Sequence, residues 1–204
     1  MSQYYFSFIS FFIGLILIAC SGEYYSEIVQ EKSDDNVYYS ESLGLYLPIP
    51  EGYELLSKEK FIEEKNALYN RLDGDQRTMD MIQQVVQNPK GVAFKKGDFL
   101  SSNLLIQGLS PMEMNQERLN KFAKMFETYP DKVDGIDRIV IHEKRLVKGK
   151  NYEGLYFKNE MIFSDGTRTD KNVTVWVDFG KGMSYVFNFN NKDIDPEEYL
   201  SEVR

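Results

Sequence analysis

Cys20 is the only cysteine and His142 the only histidine in this chain of 204 residues. A lone thiol forms no disulfide within its own chain. Histidine-assisted nucleophilic catalysis needs a Ser or Cys nucleophile and a carboxylate arranged around the imidazole. His142 stands in Ile139-Val140-Ile141-His142-Glu143, a strand pattern, and no Gly-x-Ser-x-Gly sequence accompanies it. A solvated or hydrogen-bonded strand histidine is the expected role. Zinc and copper sites have almost no ligands at these counts. Oxygen-rich clusters occur at Asp73-Gly74-Asp75 and at Asp193-Ile194-Asp195-Pro196-Glu197-Glu198. Neither has EF-hand spacing, because Arg77 takes the fifth position of the first and Glu198 the glycine position of the second. Turn formation and helix capping account for both. Glycoside hydrolysis needs only two carboxylates at a set separation. With 32 Asp and Glu residues some pair is always on offer, so the count supports nothing. No glycine-rich phosphate loop is present. The chain is read as a non-enzyme, with no catalytic residue, cofactor or metal.

The net charge of −8 argues against nucleic acid, whose phosphates repel an acidic surface. One basic cluster, Lys144, Arg145, Lys148 and Lys150, surrounds a hairpin, and Lys95 and Lys96 join it if their strands are neighbours. It could meet anionic headgroups or an acidic partner. A solvated hairpin tip that blocks edge pairing is the favoured reading.

Residues 1–20 contain no Lys, Arg, Asp or Glu, and the run Phe6–Ala19 is broken only by Ser7, Ser10 and Gly14. Fourteen residues fall short of the ~20 that a spanning helix needs. A short apolar run ending in small residues is the pattern of a secretory signal. Leu17-Ile18-Ala19-Cys20 resembles the lipobox of bacterial lipoproteins. The resemblance implies a thioether-linked diacylglycerol on Cys20, cleavage before it, and acylation of the new α-amine. An n-region without Lys or Arg departs from that family. An uncleaved membrane anchor with an incidental cysteine is the bland alternative. Ser21, rather than Asp, favours the outer over the inner membrane by analogy with Gram-negative lipoproteins.

The elements that would follow such an anchor are legible in turn. Residues 21–42 are rich in Ser, Glu and Asp and read as a flexible tether. The Tyr24-Tyr25 and Tyr38-Tyr39 pairs are unusual there. Tyr38-Tyr39 either opens the first strand or packs on the domain, and a binding role for the pairs is the minor reading. Leu43, Leu45 and Leu47 alternate as a strand before Pro48-Ile49-Pro50. Apolar residues at helical spacing predict helices over 57–72 and 78–87. Strands are predicted over 92–96 and 101–108. A helix over 111–128 is predicted from Ser110 as N-cap and Pro111 at N1. Four strands follow as a meander, 137–147, 152–163, 171–179 and 183–190, with glycine in each connection (Gly149, Gly166, and Gly180 with Gly182), as tight hairpins require for positive φ. A last helix starts at Asp195-Pro196. Trp176 falls on the face opposite Val173, Val175 and Val177, where an exposed ring would mark an interface and a second layer would bury it.

The fold class is therefore α+β: a mostly antiparallel sheet with a C-terminal four-strand meander, flanked by helices. The opening Leu43-Gly44-Leu45-Tyr46-Leu47-Pro48-Ile49-Pro50-Glu51-Gly52-Tyr53, with the helix before the meander, is similar to the PsbP-like fold. That resemblance implies an α/β/α sandwich over 43–204. Three segments are expected: a signal peptide over 1–19, a lipidated Cys20 with its tether over 20–42, and one domain over 43–204. The expected function is that of a membrane-tethered, non-enzymatic binding or accessory module of the bacterial envelope, with the membrane and an envelope protein as partners. A hydrolase working with carboxylates alone and a passive envelope component are the alternatives.

Overall fold

The computed structural model of the chain describes residues 36–57, 60, 90–97, 102–128, 136–164, 166, 172–190 and 193–204. The apolar N-terminal run, Cys20, Tyr24-Tyr25, Asp73-Gly74-Asp75 and nearly all of the helices expected over 57–72 and 78–87 lie outside those residues.

Two sheets form. The first is a hairpin of β1 (Val37–Ser40) and β2 (Leu45–Pro48). The second has seven antiparallel strands: β3 (Glu54–Leu55), β4 (Gly91–Lys95), β5 (Asn103–Leu109), β6 (Ile136–Lys148), β7 (Glu153–Phe163), β8 (Asn172–Asp178) and β9 (Ser184–Asn190). Their order is β3-β4-β5-β9-β8-β7-β6. The last four strands are thus the meander that the alternation predicts. Two described helices accompany the sheets, α1 (Gln116–Thr128) and α2 (Pro196–Glu202).

Each face of the large sheet carries its own core. On one face Phe94, Leu104, Ile106, Val173, Val175, Val177, Phe187 and Phe189 meet the hairpin through Leu43, Leu45 and Leu47, and α2 through Tyr199, Leu200 and Val203. On the other face Leu109, Leu155, Phe157, Trp176 and Val186 meet α1 through Leu119, Phe122, Ala123 and Phe126. Those four helix residues stand at i, i+3, i+4 and i+7, one apolar stripe of an amphipathic helix. A fully buried side chain of this kind contributes about 1.5–3 kcal/mol.

Three expectations need correction. The folded part begins before Leu43: β1 lies inside the stretch read as tether, and Tyr38 packs edge-on against Phe94. Helix α1 starts at Gln116 rather than at Pro111. Asn115 supplies the cap, its Oδ1 accepting from Arg118 N at 2.9 Å, while Met112 N donates to Ser184 Oγ at 2.8 Å and holds the preceding segment on β9. Gly149 is not at positive φ, unlike Gly180 and Gly182 in the β8–β9 turn (φ 70° and 75°). Its reason is space, because an added Cβ would lie 2.2 Å from the Tyr152 ring. The second helix start is as expected: Asp195 accepts from Glu197 N and Glu198 N ahead of Pro196.

Candidate functional site

The chemistry-bearing residues of the sequence do not converge. His142 is the extra residue at a bulge in β6, between Ile141 and Glu143, and its Nε2 lies 3.0 Å from Glu160 Oε2. The basic cluster is split. Strand β4, with Lys95, is separated from β6 by β5, β9, β8 and β7, so Lys95 and Lys96 cannot join it. Lys96 pairs with Asp193 at 3.3 Å, and Lys148 pairs with Glu153. Arg145 bonds Glu143 (2.7 Å) and, through both terminal nitrogens, Glu197, and its guanidinium lies 4.4 Å from the Tyr156 ring centre. Glu197, and after it Glu143, raise the guanidinium pKa further above its ordinary range. This cluster fastens α2 to β6 and offers no free carboxylate pair. Among the described residues no group of three or more His, Cys, Asp or Glu could hold a metal. No described helix is long and apolar enough to cross a membrane.

Trp176 is buried, as a second layer requires. Its ring packs against Phe122, Phe157 and Phe126 at 4.7, 5.5 and 6.1 Å between centres. Gly154 allows this close sheet, since a Cβ there would meet the Trp176 carbonyl at 2.5 Å.

Three surfaces emerge that residue types alone do not flag. The first is a polar row on the α1 face of the large sheet. Glu54, Lys95, Asn103 and Asn190 stand opposite one another across β3, β4, β5 and β9. Asn172 faces Asn159 across β8 and β7, and Thr174 faces Asn188 across β8 and β9. Lys95, Asn103, Asn159 and Thr174 are buried. Lys95 Nζ lies 3.4 Å from Glu54 Oε1, and Thr174 Oγ1 donates to Asn188 Oδ1 at 2.9 Å. Lys60, and after it Lys95, hold the Glu54 carboxyl below the usual carboxylate range. The buried Asn172 Oδ1 accepts no hydrogen bond from the described residues. An unmet buried acceptor costs about 1–3 kcal/mol. Asn172→Val, which also suits a strand, is therefore expected to raise the urea midpoint without changing the slope. A lowered midpoint would show that the carboxamide is needed. The signal was present in the sequence: Asn alternates with apolar residues at Asn172-Val173-Thr174 and Phe187-Asn188-Phe189-Asn190.

The second surface is the outer edge of β6, with which no described strand pairs. Bulges fall between Ile136 and Arg138 and between Ile141 and Glu143, so Glu143–Lys148 is the longest regular stretch. Leu146 in its middle is 44% exposed. The third is the outer face of the β1–β2 hairpin. Tyr39 and Tyr46 stand opposite one another, their rings 4.6 Å apart and 47% and 50% exposed. Among the described residues, Tyr39, Tyr46 and Leu146 are the large apolar side chains left exposed.

No protein-family description matches the chain, and no curated protein matches it. Among solved structures the chain is similar to the solution structure of cyanobacterial PsbP (CyanoP) from Synechocystis sp. PCC 6803. The identity is 10% over 80% of this chain and 84% of that one, with a TM-score of 0.48.

Proposed function

We propose that this chain is a lipid-anchored protein of a bacterial envelope that works by binding an envelope protein, as an accessory module rather than an enzyme. The anchor is read from the sequence: an uncharged apolar run ending in Leu17-Ile18-Ala19-Cys20, with the only cysteine at the point where a lipobox would place it. Ser21 favours the outer membrane over the inner one. The domain is read as a PsbP-like α/β/α sandwich, and its support is the element order: two strands ahead of a helix, a four-strand meander and a short final helix.

The observation that carries the binding role is the β6 edge. An unpaired strand edge displays alternating N–H and C=O groups to which an extended segment of another protein can add. Edge strands are ordinarily blunted by bulges and charges; the bulges of β6 end at Glu143, while its charges continue through Lys144, Arg145 and Lys148. From Glu143 on, six residues run in register with the apolar Leu146 exposed among those charges. The alternative of a hydrolase using carboxylates alone lacks support here, since Glu143 and Glu197 both bond one guanidinium.

Cross-linking in native cells, detergent extraction and mass spectrometry test the role. A stoichiometric envelope protein is expected, cross-linked through residues 143–148. Leu146→Glu, at an exposed position where stability changes little, is expected to abolish that cross-link. A cross-link unaffected by Leu146→Glu removes β6 as the site, and no partner above background favours a passive envelope component.

A further inference from the structure

Among the described residues, the outer face of the β1–β2 hairpin is left exposed at Tyr39 and Tyr46. Leu45 and Leu47 of β2 and Tyr38 and Ser40 of β1 turn inward. Tyr39 and Tyr46 turn outward, beside the partly buried Val37 and Pro48. The exposed Arg204 lies next to them, joined to Tyr46 by two backbone hydrogen bonds of 2.7 and 3.1 Å. Lys181 reaches the hairpin turn, its Nζ donating to the Gly44 carbonyl at 3.1 Å. Two tyrosines with small apolar neighbours, flanked by the cations Lys181 and Arg204 and by the exposed Glu41 of the turn, make an amphipathic surface: apolar rings, polar hydroxyls and charge at the margin. Tyrosine with this surrounding is the side chain that settles at a membrane–water interface, where the ring meets acyl chains and the hydroxyl meets water.

Sixteen residues, 21–36, separate Cys20 from Val37. Fully extended, that stretch spans at most about 60 Å. A coil of the same length averages roughly 20–25 Å, less than the width of a domain of this size. The hairpin is then the part of the domain nearest the anchor, at a high effective concentration over the bilayer.

We infer that Tyr39 and Tyr46 are a second, reversible membrane contact: the hairpin rests its outer face on phospholipid headgroups and fixes the domain's orientation, with the β6 edge left accessible. This rests on the lipid-anchored reading of Cys20. Acyl chains supply the durable attachment, and the tyrosines supply the orientation.

Hydrogen exchange on the full acylated chain in phosphatidylcholine vesicles tests it, with the Cys20→Ser chain in solution as reference. Amides of 37–48 are expected to exchange several-fold more slowly on vesicles, while β5 and β9 amides stay unchanged. The double variant Tyr39→Ser with Tyr46→Ser, still acylated, is expected to lose that protection. Its β5 and β9 amides report that it remains folded. Equal exchange of 37–48 in the acylated wild type and the Cys20→Ser chain overturns the inference. So does protection that survives the double substitution. The mass of the N-terminal peptide separates this from failure of the anchor. If Cys20 carries no acyl group, the same measurement is made with Cys20 coupled to a maleimide phospholipid. Protection there supports the hairpin contact on its own, and its absence overturns it.

Discussion

Tyr199→Ala is expected to lower the stability of the domain by about 3–5 kcal/mol, the range for truncating a buried aromatic ring. Tyr199 lies at the junction of three elements. Its ring packs edge-on against Phe187 and Phe189 at 6.2 and 5.7 Å, and its hydroxyl donates to the Pro48 carbonyl at 3.0 Å. One side chain therefore ties α2 to the sheet and to the hairpin. Tyr185 does the same from β9, its hydroxyl donating to the Leu43 carbonyl at 2.9 Å. Tyr199→Phe separates the two contributions, because it keeps the ring and removes the hydrogen bond, for an expected loss of about 1 kcal/mol. Urea unfolding of both variants checks this. A Tyr199→Ala loss no larger than that of Tyr199→Phe would mean that the ring is not part of the core.

The same tyrosines make the domain sensitive to alkali. Burial raises the Tyr199 pKa far above its ordinary value near 10, with Glu202 adding to the rise. Burial also raises Tyr38, Tyr152, Tyr156 and Tyr185. In the unfolded chain these phenols lose their protons near pH 10. In the folded chain they keep them to higher pH, so above pH 10 the folded state binds more protons than the unfolded one. Stability then falls as pH rises, and it is unaffected by these groups below pH 10. For Tyr199 alone the slope is about 1.4 kcal/mol per pH unit. Urea midpoints at pH 8, 9, 10 and 11 are expected to hold level and then drop steeply after pH 10. Tyr199→Phe is expected to flatten the drop. A midpoint that stays level to pH 11 contradicts the buried, neutral state of these rings.

The meander was legible because apolar residues alternate along its strands at a period of two, which only a strand satisfies. Val173, Val175 and Val177 read as one face, and Tyr185, Phe187 and Phe189 as another, and both face the same core. The same alternation put Trp176 on the face opposite the valines, and the second layer that buries it is seen only in the fold. Strand β1 is one of two readings that the sequence allows for Tyr38-Tyr39, since Val37-Tyr38-Tyr39-Ser40 follows a run of Ser, Asp and Asn that resembles a linker. It is a strand because it pairs with β2 and Tyr38 packs on the large sheet, a tertiary effect that local sequence does not carry. The start of α1 was misplaced because Ser110-Pro111-Met112-Glu113 has the grammar of a capped helix, and a contact from Ser184, 72 residues on, outweighs it. The basic cluster needed strand order, which no spacing in the chain reveals. The β6 edge and the Tyr39–Tyr46 pair needed exposure, which alternation leaves undetermined when both faces of a strand are apolar or mixed.

The anchor on Cys20 is the premise of the functional account, and the mass of the mature N-terminal peptide tests it most directly. The chain would be expressed in a bacterial envelope, extracted in detergent and digested. A peptide that begins at Cys20 and carries diacylglycerol on the thiol and an acyl group on the α-amine is expected, with Cys20→Ser blocking both. A chain that keeps residues 1–19 and an unmodified Cys20 thiol would contradict it.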